Sequence, residues 1–381
     1  MAENLKLRII EHLAEIPAAQ WEALRSQQPG NNPFLAHAFF LALQESGCAT
    51  PVTGWRAQFL TYWQQDRLVG AMPLYVKTHS WGEFVFDWAW AEAYQRHGLS
   101  YYPKLVSSVP FTPVSGARIL ADSAETRTQL IAAALQLAKE TEASSLHCLF
   151  PPETQVQEMQ QQGMLIRRGV QLHWRNPGYT DFAAYLADMR RDKRKKIQQE
   201  RRRVNDAGIH FQHLRGAQIT PEHWAFFMRC YTRTHQQFNS PLALNLEFFL
   251  RIGQTLADNV LLIVALNADD QPIASAINFY DADALYGRSW GTLEYHDGLH
   301  FETCYYQAIE FCIANQISRF EGGAQGEHKL ARGFLPVTTW SAHWLAHPRF
   351  SSAVEDFLQR ETGGIERYID ELNESSPFKQ N

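Results

Sequence analysis

The chain has 381 residues, of which 45% are hydrophobic and 20% charged, and its formal net charge is -5. This length exceeds that of a typical single domain, so we expect two domains, each large enough to bury a core. The small negative net charge argues against a general nucleic-acid binder, because such proteins spread positive charge over a wide surface.

The first residues, MAENLKLRIIEHLAEIP, contain no basic region followed by an apolar run, so we expect no secretory leader. No window approaches the length of apolar sequence that spans a membrane. The five cysteines lie far apart without zinc-ligand spacing, which is typical of reduced, buried thiols. Together these features predict a cytoplasmic protein.

The first half of the chain alternates between strand and helix patterns. LKLRIIEHL alternates like a strand, whereas IPAAQWEAL and AHAFFLALQESG have helical spacing, with Gly47 ending the second helix. Residues 55–79 contain two alternating strands joined at Gln64–Asp66, which predicts a hairpin. ETRTQLIAAALQLAKE then predicts a helix, and SSLHCLF a short buried strand.

The second half repeats this order. HWAFFMRCYTRTHQQF and EFFLRIGQTLA have helical spacing, and residues 260–290 predict a hairpin, turning at Asn267–Gln271, that continues into a third strand. CYYQAIEFCIANQ predicts a helix, and SRFEGG the end of a strand. The stretch AEAYQRHGL also resembles TLEYHDGL in the second half. We therefore expect two related α/β domains, residues 1–165 and 166–381.

The second domain opens with a strongly basic stretch, RRDKRKKIQQERRR, which holds nine basic and two acidic residues. Apolar residues at helical spacing between Phe182 and Val204 predict one amphipathic helix, with Thr180 as its N-cap and Gly208 as its stop.

Two interpretations of this basic helix remain open. Its cations form either a solvated face, in which Asp192 and Glu200 pair within the helix, or a site for an anionic ligand. In the second case Arg194 and Lys195 are candidate contacts.

The order of elements, with its mixed sheet and hairpin, resembles the GNAT (acyl-CoA N-acyltransferase) fold. Two units in tandem resemble the Fem aminoacyltransferases, and three stretches resemble the FemAB-like family of peptidoglycan biosynthesis or recognition: SVPFTPVSGARIL, YLADMRRDKRKKIQQERRRV and EGGAQGEHKLARGFLP. The resemblance implies an α/β fold with mixed α+β sheets in two tandem GNAT-like domains, a related basic helix, and acyl or aminoacyl transfer to an amine.

The loops that would hold a cofactor pyrophosphate depart from the acetyl-CoA pattern, in which several glycines expose backbone N–H groups. The corresponding loops here, residues 113–118 and 295–300, each contain a single glycine, and the second contains Asp297. We expect no permanently bound cofactor, and the acyl donor is either aminoacyl-tRNA or acyl-CoA.

A second candidate site is EGGAQGEHKLARGF, where three glycines follow a strand that ends at Glu321. Titratable side chains beside such a loop are what acid–base or oxyanion chemistry needs, and the alternative is a polar loop that caps the sheet. The candidates are Glu327, His328, Lys329 and Arg332. In Fem transferases a Phe-Lys pair followed by Gly-Phe at this place is assigned to substrate activation, and the resemblance places Lys329 and Arg332 on either side of it.

The aromatic stretch WGEFVFDWAWAEAYQRHGLSYYPKL is either one face of a core strand or a loop that holds a ligand. Its candidate binding residues are Asp87, Trp88, Tyr94, Arg96, His97, Tyr101 and Lys104. The parallel stretch YGRSWGTLEYHDGLHFE offers Tyr286, Arg288, Trp290, Glu294 and His296. We expect one substrate site built from both stretches along the domain junction.

His235 lies near the end of a predicted helix, where it either makes a structural hydrogen bond or contacts the substrate. No histidine spacing predicts a metal site. For transfer to an amine, Glu294 or Glu327 is the candidate base. Lys329, Arg332 or Arg288 is the candidate for stabilising the negative charge of the tetrahedral oxyanion. Tyr286 or Tyr94 is the candidate for returning the proton to the leaving group.

Three functions follow from these observations. The first is a Fem-type transferase with charged tRNA as donor and a small or peptidic acceptor related to the cell wall. The second is an acyl-CoA-dependent N-acyltransferase with an atypical pyrophosphate loop. The third is a non-catalytic protein that binds peptidoglycan precursors.

Overall fold

The computed structural model of the protein describes residues 5–323 and 326–379. They fold into two compact units, one comprising residues 1–170 and 338–367, the other residues 171–337 and 368–381. The first boundary lies five residues beyond the one expected from the sequence.

The helices and strands are numbered in chain order. Up to residue 175 they are β1 (Leu5–Ile10), α1 (Ala18–Arg25), α2 (His37–Glu45), β2 (Trp55–Ala57), β3 (Phe59–Gln64), β4 (Arg67–Met72), β5 (Tyr75–Lys77), α3 (Trp88–Arg96), β6 (Lys104–Ser107), β7 (Leu120–Ala121), α4 (Ala124–Glu140), β8 (Ser145–Leu149), α5 (Glu153–Gln161) and β9 (Leu165–Arg175). Beyond it they are α6 (Phe182–Asp188), α7 (Arg191–Asp206), β10 (His210–Arg215), α8 (Pro221–Gln237), α9 (Leu246–Thr255), β11 (Val260–Leu266), β12 (Pro272–Tyr280), β13 (Ala284–Thr292), α10 (Leu299–Phe301), α11 (Gln307–Ala314), β14 (Arg319–Glu321), β15 (Phe334–Leu345) and α12 (Pro348–Glu374).

The first unit contains two sets of paired strands. One set has the order β1-β3-β4-β7, and its β3–β4 hairpin turns at Gln65, which has a φ of 56°. In the other set β5 pairs with β2 and β6, and β6 pairs in parallel with β8. The predicted hairpin is therefore confirmed, and α4 packs its apolar face into the core of this unit.

The expected domain 166–381 contains the whole of the last strand, β15. In the structure, part of this strand belongs to the first unit. Residues Ser341–Leu345 of β15 pair antiparallel with β8, in the core of the first unit. Strand pairing thus brings residues 338–367 into the first unit, a long-range effect that local sequence patterns do not encode.

The second unit is built on a sheet with the order β10-β11-β12-β13-β14-β9. The turn of the β11–β12 hairpin closes between Asn267 and Gln271, as predicted. β13 and β14 pair in parallel over three residues, ending with Tyr286 opposite Glu321, and β13 then continues to Thr292 paired with β12. The parallel pairing thus ends at Glu321, directly before the glycine-rich loop.

Two predictions of local structure were wrong. The residues around Trp88 and Trp90 form the helix α3 and not a strand, so Trp88 is exposed while Trp90 is buried. The helix predicted from Phe182 to Val204 is not continuous, because the chain is extended at Met189 and Arg190 and divides it into α6 and α7. Asp181, and not Thr180, caps α6 by accepting a hydrogen bond from the backbone N–H of Ala184.

α12 is the longest helix and carries charged side chains along its length, including Glu361 and Glu366, which pair with Arg167 and Arg168. Among residues 5–323 and 326–379, no helix is both long and apolar enough to cross a bilayer.

The central strand β11 is buried along its whole length, and Ile263 contributes to the same core as Trp174 and Phe320. We expect Ile263→Ala to lower the free energy of unfolding by about 2–5 kcal/mol, because it leaves a cavity in a packed core. Denaturant unfolding followed by tryptophan fluorescence measures this loss. Leu242→Ala, at an exposed position, is the matched control and is expected to change stability by less than about 0.5 kcal/mol. Equal losses in both variants would contradict this assignment of the core.

Candidate active site

The glycine-rich loop after β14 leads into a short 3-10 helix, Glu327–Arg332, which carries Lys329 into the interior. Lys329 is 2% exposed, and its ammonium donates a hydrogen bond of 2.7 Å to the carbonyl oxygen of Gly323. A Cβ atom at Gly322 would lie 3.2 Å from Cε of Lys329, so glycine is what lets the loop approach this side chain. Burial lowers the pKa of Lys329 to about 8. Its ammonium is therefore easily deprotonated.

The predicted base Glu327 belongs to the same 3-10 helix, but its side chain lies outside the described residues, as do Ala324 and Gln325 of the loop.

Arg332, at the end of the 3-10 helix, is bound by a carboxylate. Its Nη2 donates to both carboxylate oxygens of Glu200, at 2.9 and 2.8 Å, and its Nε donates to the hydroxyl of Tyr306 at 2.9 Å. The tyrosine hydroxyl in turn donates to Glu200. The guanidinium also lies 3.3 Å from the ring centroid of Phe301. Arg332 is therefore neutralised inside the unit and fixes the loop to α7.

Imidazole and aromatic rings surround the 3-10 helix. Nε2 of His328 lies 2.9 Å from the hydroxyl of Tyr305, and the ring of His300 stacks on Trp290 with centroids 4.4 Å apart. Burial lowers the pKa of His300 to about 4, and burial together with Arg332 lowers that of His328. Both imidazoles are consequently neutral near pH 7, a state in which they accept as well as donate hydrogen bonds.

Glu321, the last residue of β14, is the carboxylate that the sequence interpretation treated only as a strand end. It is 5% exposed, and its Oε1 lies 2.9 Å from Nε of Arg319. Its Oε2 is buried and accepts no hydrogen bond from the described part of the chain, although Nε2 of His173 lies 3.9 Å away. Burial raises the pKa of Glu321 to about 7. A buried carboxylate with an unpartnered oxygen and such a pKa has the properties of a general base.

Two other predicted residues lie on β13 beside Glu321. Tyr286 is its register neighbour, and the tyrosine hydroxyl donates to Asp281 at 3.2 Å. Burial lowers the pKa of Arg288 to about 10, while Glu321 acts in the opposite direction. Both predicted side chains thus flank the carboxylate at the end of the parallel pairing.

The remaining predicted residues of the second unit lie on turns at its surface. Glu294 and His296 are hydrogen-bonded to each other at 3.2 Å, beyond the end of β13. His235 is in the last turn of α8, where its Nδ1 lies 2.9 Å from Oγ of Ser240. The structure thus gives His235 the structural hydrogen bond that was one of its two interpretations.

The cations of α7 divide into paired and unpaired groups. Arg201 pairs with Glu302 and Glu310, Arg203 with Asp297, and Lys193 with Asp192. Glu200 does not pair within the helix, as one interpretation held, because it is buried against Arg332. The cations for which the described chain provides no ion pair are Arg191, Arg194, Lys195, Lys196 and Arg202.

The first unit contains a second cluster of buried charges, centred on Lys104. Its ammonium donates to Oγ of Ser80 and to Glu83, each at 2.8 Å, and also to Asp87. Burial raises the pKa of Glu83 to about 7. Burial also acts to raise the pKa of Asp87, but Lys104 outweighs it and lowers that pKa to about 2. All three ammonium hydrogens are therefore used within the unit.

A chain of hydrogen bonds extends from this cluster through the first unit. The hydroxyl of Tyr101 donates to Asp87 at 2.6 Å and lies 3.1 Å from Nε2 of His147. Nδ1 of His147 in turn lies 2.7 Å from Nδ1 of His343. Burial lowers the pKa of His147 to about 3, so it is neutral. Sequence reasoning missed both histidines because their partners are distant in the chain.

The other predicted residues of the aromatic stretch lie outside this cluster. Tyr94 is buried against Phe350, whereas Trp88 and Arg96 are exposed on α3 and His97 is exposed directly after it. That the aromatic stretch and its counterpart in the second unit line one common site stays a prediction. Among the described residues, no group of three or more histidine, cysteine, aspartate or glutamate side chains is placed to hold a metal ion.

Comparison with known proteins identifies a family whose model matches almost the whole chain. The model of a FemAB-like family, described as peptidoglycan biosynthesis/recognition, matches residues 12–380. Among solved structures, FemX aligns with a TM-score of 0.56 at 10% identity, covering 89% of this chain and 98% of its own. L-PGS from Bacillus licheniformis aligns with a TM-score of 0.54 at 9% identity, covering 90% and 97%.

A third similar solved structure is the C-terminal domain of a putative lysylphosphatidylglycerol synthetase from Agrobacterium fabrum. It aligns with a TM-score of 0.56 at 9% identity, covering 91% of this chain and 96% of its own. No curated protein sequence matches the chain. The expected fold, two tandem GNAT-like units with mixed α/β sheets, is confirmed.

The Lys104 cluster gives a test of the buried charges in the first unit. We expect Lys104→Met to lower the free energy of unfolding by about 3–5 kcal/mol at pH 7, because two buried carboxyl groups lose their cation. The loss should shrink towards pH 4, because in the variant both carboxyl groups, buried without a cation, take up a proton. Denaturant unfolding at several pH values measures it. Lys139→Met, at an exposed position, is the control, and a loss independent of pH would contradict the assignment.

Proposed function

Since the chain belongs to the FemAB-like peptidoglycan biosynthesis/recognition family, we propose that it transfers an acyl or aminoacyl group to an amine of a cell-wall precursor. The observation that carries this proposal is the pair of buried groups beside the glycine loop. Glu321 ends β14 with an oxygen that has no hydrogen-bond partner among the described residues, and Lys329 contacts Gly323, two residues beyond Glu321 in the chain. The similar solved structures, FemX and the domain of a putative lysylphosphatidylglycerol synthetase, share this fold, which supports this class of reaction.

In the proposed reaction, Glu321 takes a proton from the attacking amine, whose nitrogen forms a bond to the acyl carbon. The tetrahedral intermediate carries negative charge on the former carbonyl oxygen, and the ammonium of Lys329 stabilises it. Within residues 5–323 and 326–379, Gly323 accepts one of the three ammonium hydrogens, which leaves two for this oxygen. The bond to the leaving oxygen or sulfur then breaks, and that atom receives the proton held by Glu321.

Several features support aminoacyl-tRNA over acyl-CoA as the donor. In the first unit the loop that would hold a pyrophosphate turns its carbonyl groups inward, because the buried Arg118 donates to the carbonyl oxygens of Val114, Gly116 and Leu149. In the second unit the corresponding loop contains a single glycine, and its Asp297 is paired with Arg203, so this loop does not offer that cation to a phosphate. The unpaired cations of α7 provide instead a surface for a polyanionic donor or a diphosphate-linked acceptor.

The role of Glu321 is tested by Glu321→Gln, which keeps the shape of the side chain but cannot accept a proton. We expect the rate of transfer to fall about 10²–10⁴-fold. The measurement is transfer of a labelled amino acid from charged tRNA to a UDP-linked peptidoglycan precursor. Glu294→Gln, on the surface turn beyond β13, is the control and should keep the rate of the unaltered protein.

The pH dependence of kcat/KM tests Glu321 and Lys329 together. The rate should rise as Glu321 loses its proton near pH 7, and fall as Lys329 loses its charge near pH 8. Glu321→Gln should abolish the rising limb and leave the falling one. A variant with the full bell-shaped profile would exclude Glu321 as the base.

The donor is tested by binding across a salt series. We expect Arg194→Gln combined with Lys195→Gln to weaken binding of charged tRNA and to flatten its salt dependence, because two phosphate contacts are lost. The control, Lys193→Gln combined with Arg203→Gln, removes the same charge from paired positions of the same helix. Tight CoA binding in all three proteins would favour the acyl-CoA donor and contradict the tRNA assignment.

A further inference from the structure

The first unit contains a cleft of about 520 Å³ between the end of α3, the end of α4 and the end of β15. This volume is within the range of sites that hold small molecules. We call it the Tyr94 cleft, after the tyrosine of α3 that lines it. Much of its wall is apolar and consists of Leu99, Ala138, Ala143 and the half-buried indole of Trp344.

Main-chain hydrogen bonds build the walls of this cleft. α4 ends in a Schellman turn, in which the N–H of Ala143 donates to the carbonyl oxygen of Ala138 at 2.9 Å and Glu142 has a φ of 52°. The N–H of Ala346, directly after β15, donates to the carbonyl oxygen of Ser144 at 2.9 Å. The backbone thus fixes the cleft without using the polar side chains that line it.

Tyr94 brings an unpartnered hydroxyl group to the cleft. The residue is 3% exposed, and its ring packs on Phe350 and Tyr101 with centroids 4.1 and 5.1 Å apart. The hydroxyl is buried and has no hydrogen-bond partner in the part of the chain that the structure describes. Burial raises the pKa of Tyr94 to about 12, so the hydroxyl keeps its hydrogen at pH 7. The two neighbouring rings hold this side chain in place, and its hydroxyl remains for a ligand.

A second unpartnered polar atom belongs to the same cleft. His347, two residues beyond β15, lines it, and its Nδ1 is buried without a hydrogen bond to any described residue. Its ring meets that of Phe350 edge to face, with centroids 5.4 Å apart. Most buried polar groups in proteins have a partner, so two exceptions beside one cleft indicate that a bound molecule completes them. Such a molecule has to carry polar atoms as well as apolar surface.

The cleft also carries one charge of each sign. Lys139, in the last turn of α4, and Glu142, in the turn that follows, both line it and are exposed. Neither forms an ion pair within residues 5–323 and 326–379. A ligand with a single charge would meet a like charge here, whereas a ligand with both charges meets an opposite charge for each.

We propose that the Tyr94 cleft binds a small zwitterionic ligand with an apolar side chain, either a free amino acid or a short peptide with both termini free. The apolar side chain of the ligand packs against Leu99 and Trp344. Its carboxylate accepts from Tyr94 and Lys139, and its ammonium group lies near Glu142. A nucleotide fits less well, because its phosphates would meet an anion beside the cation. A purely apolar ligand would leave the Tyr94 hydroxyl without a partner.

This inference does not depend on the transfer reaction, because every residue that lines the cleft belongs to the first unit. It gives that unit a binding function of its own. Glu321→Gln, which is expected to slow transfer, should leave binding in the Tyr94 cleft unchanged. The failure of one proposal is therefore distinguishable from the failure of the other.

The test is isothermal titration of the full chain with L-leucine, L-phenylalanine and the dipeptide L-alanyl-L-alanine. We expect saturable binding of at least one of them at millimolar concentration, and the preference between amino acid and dipeptide identifies the form that the cleft takes. The N-acetyl and amide derivatives of the ligand that binds best each lack one charge. Each should bind about two- to fivefold more weakly, which is the range expected for exposed ion pairs.

Three substitutions test the assigned contacts. We expect Tyr94→Phe to weaken binding about three- to tenfold without lowering stability, because the hydroxyl makes no hydrogen bond within the described chain. Lys139→Gln should remove only the preference for the parent ligand over its amide. Glu142→Gln should remove only the preference over the N-acetyl derivative, so each charge variant is the control for the other.

The matched control is Tyr62→Phe, the same change at a half-buried tyrosine of β3 that does not line the cleft, and it should bind as the unaltered protein does. Ala346→Trp puts a bulky side chain at an exposed lining position and should abolish binding, while circular dichroism shows that it is folded. Four results would overturn the proposal: no binding of any of the three ligands, equal losses in Tyr94→Phe and Tyr62→Phe, binding that persists in Ala346→Trp, or derivatives that bind as tightly as the parent ligand.

Discussion

The ion pair between Glu200 of α7 and Arg332 of the 3-10 helix determines how the second unit presents its chemistry. Both side chains are buried, and each would be costly in the interior without the other. Their contact fixes one face of α7 to the loop that carries Lys329. The opposite face of the helix then has to face outward, with the cations that the unit leaves unpaired. One buried interaction thus positions both the proposed oxyanion donor and the proposed anion-binding surface.

The two units use buried charge in different ways. In the first unit Lys104 uses all its hydrogens on neighbouring side chains, and Arg118 uses its guanidinium on three backbone carbonyl groups. In the second unit, as far as the structure describes it, Lys329 makes a single hydrogen bond and Glu321 keeps an unpartnered oxygen. Groups that are fully engaged stabilise a fold, whereas groups that are buried and incompletely engaged can act on a ligand. This difference favours the second unit as the catalytic one and the first as a scaffold.

The sequence predicts the helices, the hairpins and the repeat well because these follow from local periodicity and turn residues. It fails where long-range pairing decides. The partner of Glu200 lies 132 residues away, and Ser341–Leu345 pair with β8 almost two hundred residues earlier. Of the candidate residues, Lys329 was identified from its loop, whereas Glu321 was missed because a glutamate at a strand end resembles any polar cap. The two glycines directly after Glu321 are the sequence feature that indicates a close approach of the chain at this strand end.

Burial acts on Glu321 and Lys329 in opposite directions and brings their pKa values close together. From ordinary values of 4.5 and 10.5, the first rises to about 7 and the second falls to about 8. The carboxylate base and the ammonium therefore coexist only over a narrow interval of pH. A ligand that removed still more water would raise the pKa of Glu321 above that of Lys329. At a pH between the two values, both groups would then be neutral. The site must accordingly keep some polar contact when substrate is bound, and a negatively charged substrate near Lys329 supplies it by favouring the ammonium. The anionic character proposed for the donor or acceptor is thus a condition for the catalytic charges to exist, as well as a means of binding.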